Sequence, residues 1–177
     1  RANQMEGLLE GFFIYLCSLV YSGFCEEAEK LFEKREKEGF PELSQQAEIW
    51  KDTAFFLLRR SNDEKSLAYA ALENAAKQAK EFSLSLHTSL QILVLQEYQD
   101  LKLLPMIEEQ LKKSNRLLLL WRYYACACQI LREDHVRQIY RQRAIQYYEE
   151  ILKQLHDFPN LAQEFIDSPL NQALFDE

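Results

Sequence analysis

The 177-residue sequence has only four glycines and four prolines. An all-β fold needs many tight turns, which these two residues usually supply, so the shortage argues against that class. It also rules out a glycine-rich phosphate loop, and the nucleophile pattern Gly-x-Ser-x-Gly does not occur. The cysteines are Cys17, Cys25, Cys126 and Cys128, with no Cys-x-x-Cys among them. Cys126 and Cys128 fall two apart in a helical pattern and so point to different faces, a spacing that suits neither a disulfide nor a zinc knuckle. All four read as small apolar residues of a chain kept in a reducing cytoplasm. The three histidines, His87, His135 and His156, are far apart in sequence. His87 is expected to be a satisfied core histidine, and the other two to sit at turns or helix ends. No catalytic residue, metal site or cofactor is expected from this inventory.

A long hydrophobic run is missing too. Residues 8–20 are apolar, but Glu10 and Gly11 interrupt them, and the stretch is too short to span a bilayer or resemble a signal peptide. Positive charge is scarce: the net charge is -7, which argues against nucleic acid as a partner. The one local exception, "REDHVRQIYRQR" at 132–143, reads as a solvated helix face. Acidic neighbours such as Glu26-Glu27, Glu108-Glu109 and Glu149-Glu150 diverge by about 100° around a helix, so they read as surface rather than as a carboxylate dyad.

What is present is helix-forming and apolar. Leu, Glu, Gln, Lys and Ala dominate, and 47% of residues are hydrophobic, enough for a substantial core. The apolar spacing predicts a helix over 4–22, with Leu8, Leu9, Phe12, Phe13, Tyr15, Leu16, Leu19 and Val20 forming a wide face. Gly23 breaks it, a partner helix covers 25–38, and Gly39-Phe40-Pro41 ends that pair. Ser44 caps a helix reaching about 60, "SND" turns the chain, and 64–82 follows with small residues on one side. Residues 84–98 are apolar nearly all round, as in a buried helix, and a short helix spans 103–113 with Pro105 in its first turn. Helices over 116–133 and 135–156 carry Trp121, Tyr123, Tyr124, Tyr140, Tyr147 and Tyr148. These aromatics read as core packing or as a patch for a partner. The tail, from 158, splits into two short helical pieces at Ser168-Pro169. Arg1 stands in an already helical pattern where Met would open a complete chain, so a longer protein is expected.

Helices joined by such short links must be neighbours, and stacked pairs bury what a single hairpin cannot. The expected fold is all-α: antiparallel helix pairs over about 1–41, 42–83, 84–115 and 116–157, then a cap at 158–177. "FFIYLCSLVYSGFCEEAEKLFEK" resembles a tetratricopeptide repeat. Phe12, Tyr15 and Leu19 match its first helix, and Ala28 and Phe32 its second. Trp50, Ala54, Leu57, Ala68, Leu72 and Ala75 match in the second pair, as do Tyr124, Ala127, Cys128, Leu131, Ala144 and Tyr148 in the fourth. The alanines at 28, 68 and 144 are separated by 40 and 76, about one and two units of a long repeat. The tail, through Pro159, Leu161, Phe165, Ser168, Pro169 and Leu174, is similar to a segment that closes such repeats in bacterial multidomain regulators, where they follow a kinase-like, cyclase or NTPase module.

The resemblance implies a right-handed superhelix whose first helices line a concave face that holds a protein or peptide. By register, Lys51, Phe55, Leu90, Arg122, Gln129 and Arg132 would line that face. The cations among them could grip an acidic partner, or could be a solvated basic face. Two rivals remain open. One is a self-associating scaffold that dimerises through residues 1–20. The other is an enzyme or small-molecule sensor with a pocket near His87 or the tyrosines.

Overall fold

The structure, a computed structural model, describes residues 2–114 and 116–175, with side chains from Gly7 onward. Ten α-helices and one 3-10 turn follow in order, with no strand among the described residues. They are α1 (Ala2–Tyr21), α2 (Cys25–Glu38), α3 (Gln45–Ser61), α4 (Lys65–Phe82), α5 (Leu84–Tyr98), the 3-10 turn Leu101–Leu103, α6 (Leu104–Ser114), α7 (Leu117–Ile130), α8 (Asp134–Gln154), α9 (Pro159–Ile166) and α10 (Pro169–Phe175).

The helix ends have local causes. The Ser44 hydroxyl accepts from the Ala47 amide at 3.2 Å, satisfying one orphan donor at the start of α3. Gly23 and Gly39 take φ of 86° and 81°, a region that a Cβ disfavours, so both breaks need glycine. Asp63 turns between α3 and α4 with φ of 59°, which a short polar side chain tolerates. α7 stops at Ile130 rather than near 133. Glu133 is instead the N-cap of α8 and Asp134 lies in its first turn, where negative charge favours a helix start. Arg132 therefore lies in the link after α7, not on the helix.

The chain divides into two compact units, 1–90 and 91–177, with the division inside α5. In the first unit α3 and α4 form the most extensive pairing, and α1 lies against α3 more extensively than against α2. Gln45 donates to the Gln78 carbonyl at 3.1 Å, and Gln78 donates to Asp52 at 3.0 Å, ties that bind the two helices of an antiparallel hairpin. Ala68, Ala75 and Ala79 of α4 are fully buried, so the α3 backbone can come close. Phe13, Leu16, Ile49, Phe56, Leu57, Leu58 and Leu72 are buried in the same unit. Each such side chain contributes roughly 1.5–3 kcal/mol relative to exposure.

In the second unit α7 pairs with α8, α6 lies against α7, and α10 packs on both α7 and α8. The core combines Ile92 and Leu95 of α5 with Ile107, Leu111, Trp121, Tyr123, Tyr124, Ala144, Ile151 and Leu174. The tail is tied in by polar contacts as well. The Trp121 indole donates to the Asn171 side-chain oxygen at 2.9 Å in a buried setting. The Asn171 amide nitrogen donates to the Phe165 carbonyl. Arg141 donates to the Leu174 carbonyl at 2.9 Å.

Candidate partner-binding surfaces

In the first unit, Glu48, Lys51, Asp52, Phe55 and Arg59 share one face of α3 at i, i+3, i+4, i+7 and i+11. All are half-buried, and all are already engaged. The Lys51 ammonium is ion-paired with Glu48 one turn away. Asp52 accepts from Asn74 and Gln78 of α4. Its pKa is raised, first by burial, against the pull of Lys51 and these two amides. The Phe55 ring lies 5.9 Å from Phe32 of α2, and the Arg59 guanidinium lies 4.8 Å over it. Arg59 also meets Glu29 and Glu64, each at 3.4 Å. Leu90 is 5% exposed, so its side chain belongs to packing.

In the second unit, α7 is enclosed on most sides. Leu120, Trp121 and every residue from Tyr123 to Cys128 are buried. What remains open is a narrow stripe, with Leu118 and Gln129 exposed and Arg122 half-buried. Arg122 and Gln129 are two turns apart, about 10 Å along the axis. Arg122 donates to Gln96 at 3.2 Å, a neutral acceptor that leaves the guanidinium charge uncompensated by that contact. Arg132 is exposed in the link just beyond.

The aromatic cluster is largely core. Trp121, Tyr123 and Tyr124 are buried, and Tyr140, Tyr147 and Tyr148 are half-buried. The Tyr123 hydroxyl donates to the Leu104 carbonyl at 3.1 Å, and burial pushes its pKa far above the usual phenol range. Tyr124 accepts from Arg143 at 2.8 Å and stacks on Tyr147 with centroids 5.7 Å apart. Arg143 also meets Glu108 at 3.6 Å. His87 is buried with Nδ1 2.6 Å from the Ala76 carbonyl, and a carbonyl only accepts, so that nitrogen carries a proton. Burial holds the Cys17 thiol up at about 11 and Cys126 at about 12, the latter against the pull of Arg122. Both stay protonated, unlike a reactive thiolate. Among the described residues no group of three or more His, Cys, Asp or Glu could hold a metal ion. No helix there is long and apolar enough to cross a membrane.

α1 presents a different surface. Leu9, Phe13, Leu16, Cys17 and Leu19 are buried, but Leu8 and Tyr15, expected on the same wide face, are 72% and 50% exposed. With Gly7, Gly11, Ile14 and Ser18 they form a second face looking outward. From Gly7 to Ser22 the only charge is Glu10, and the Ser44 hydroxyl donates to it at 3.4 Å, turning it toward α3. A Cβ built on Gly7 or Gly11 would meet nothing within 4 Å. Glycine inside a helix costs roughly 0.5–1 kcal/mol relative to alanine, and no contact among the described residues offsets that here.

No family model matches the chain, and no curated protein or solved structure matches it either.

Sequence reasoning had passed over Asn171, whose side chain sits between Trp121 and Phe165. "SPLNQ" offers one signal, a polar residue in the buried register of a short amphipathic helix. It had also read α1 as one face where there are two. The signal was the pair Gly7 and Gly11, four apart and thus stacked on one side.

Proposed function

We propose that this chain is a protein-binding module built as a tetratricopeptide-like solenoid, the regulatory repeat region of a larger bacterial cytoplasmic regulator. Support comes from an asymmetry within the pairs. The first helix of a pair, α3 or α7, is enclosed with one narrow open stripe, whereas its partner, α4 or α8, exposes a broad polar face. Stacked hairpins produce that difference, because inner helices have neighbours on more sides. The alanines Ala28, Ala68 and Ala144 are each fully buried, in keeping with one repeat register.

The observation that carries the reading is the open stripe of α7. Arg122 and Gln129, followed by Arg132, give cationic and amide donors on a stiff, otherwise buried support, suited to a carboxylate-bearing peptide. Lys51 and Phe55 form a lesser contact on α3, because Glu48 already neutralises the ammonium. A hydrogen bond to a charged group contributes about 1.5–3 kcal/mol, so inverting Arg122 should weaken binding by roughly tenfold or more. Isothermal titration of acidic peptides against wild type and Arg122→Glu/Arg132→Glu tests this. Equal affinities would remove the stripe from the binding surface. A metabolite that raises the melting temperature while no peptide binds would favour a small-molecule sensor instead.

A further inference from the structure

The outward face of α1 complements itself. Its small residues, Gly7 and Gly11, lie in one half, and the large Ile14 and Tyr15 lie in the other, before Ser18. Consider two copies of α1 laid antiparallel about a two-fold axis between positions 12 and 13. Gly7 then faces Ser18 and Gly11 faces Ile14, while Tyr15 passes beside Gly11 and Leu8 beside Ser18. Each bulky side chain meets a gap and each gap a bulky side chain, which is the condition an isologous interface must satisfy.

We propose that α1 is a homodimer seam, in which two copies of this chain pair antiparallel through Gly7, Leu8, Gly11, Ile14, Tyr15 and Ser18. Observations on this face favour a second copy over a charged partner or an anionic membrane. Two chains of net charge -7 repel in general, and this stretch lets them meet without opposing carboxylates, since Glu10 is turned to Ser44. An acidic or basic partner would find no charge here to complement. An anionic membrane surface would find no cation either, because no Lys or Arg occurs between Arg1 and Lys30. The glycines supply the remaining argument. Space is open at both positions, so their missing Cβ atoms serve nothing among the described residues, whereas an adjacent helix can approach closely over them.

This proposal uses a different surface from the α7 stripe, so either can fail alone. Sedimentation velocity over a dilution series should show a reversible dimer. Gly11→Leu should weaken dimerisation by about tenfold or more, yet leave Tm of the dilute protein unchanged or higher, because leucine is the better helix former and meets no neighbour. In a Cys25→Ser background, Leu8→Cys combined with Ser18→Cys should give an oxidised covalent dimer, and Leu8→Cys alone should not. A monomer at every concentration would overturn the proposal. So would a dimer that Gly11→Leu leaves intact, or one cross-linked by Leu8→Cys alone, which would mean parallel pairing.

Discussion

The hairpins α3/α4 and α7/α8 are built to the same plan from different materials. The first closes by subtraction: Ala68, Ala75 and Ala79 remove side-chain volume so that the α3 backbone comes near, and polar ties such as Asp52 to Asn74 and Gln78 hold the edge. The second closes by infill: Tyr123, Tyr124, Tyr140 and Tyr147 occupy the interval between α7 and α8. Rings bring polar tips with them, and each tip needs a partner, here the Leu104 carbonyl for Tyr123 and Arg143 for Tyr124. A small-residue seam tolerates added volume poorly. An aromatic seam tolerates lost volume and lost partners poorly.

Substitutions can break or sharpen that contrast. The largest effect is expected at Trp121→Ala, which opens a cavity in the aromatic unit and strips the Asn171 oxygen of its donor. Denaturant unfolding should show a loss of about 3–5 kcal/mol, and limited proteolysis should find the segment after Phe158 freed. Next comes Ala75→Leu in the small-residue seam, where overpacking should cost about 1–3 kcal/mol in the same assay. Equal tolerance of Ala75→Leu and of a leucine at an exposed α4 position such as Ala70 would end the idea that α4 is kept small for its neighbour. Tyr123→Phe keeps the ring and removes the tip, leaving the Leu104 carbonyl without that donor, a loss of about 1 kcal/mol.

The smallest effect concerns pH. The folded state raises the Asp52 pKa, so its contribution is fullest below the unfolded carboxylate value and is lost as pH rises through the folded one. Asp52 should therefore add a downward component to the stability profile across the carboxylate range as pH rises. Asp52→Asn should remove that component in thermal melts taken at a series of pH values, and an unchanged profile would assign the effect to other groups.

The helices themselves were legible in the sequence. The patterns over 25–38 and 84–98 coincide with α2 and α5, and the break at Ser168-Pro169 separates α9 from α10. Ser44 as a cap and His87 as a buried, bonded histidine also read correctly, because each depends on a few neighbouring residues. The side-chain surroundings were less legible. Register places Lys51 and Leu90 on a surface, but only packing decides that Leu90 is enclosed and that Glu48 reaches Lys51. Arg132 was assigned to a helix that ends two residues earlier, because competition between the two helix ends is settled by the acids that start α8.

Asn171 sets a mechanical constraint on the end of the chain. It meets the indole of Trp121 and the carbonyl of Phe165 together, and that double engagement works at one height and one rotation of the terminal helix. One extra residue within the terminal helix ahead of Asn171 would turn that side chain by about 100° and aim the amide away from both. That first turn thus behaves like a ratchet stop: its length is fixed to the residue, and Ser168, just ahead of it, accepts from the Asn171 backbone amide at 3.4 Å.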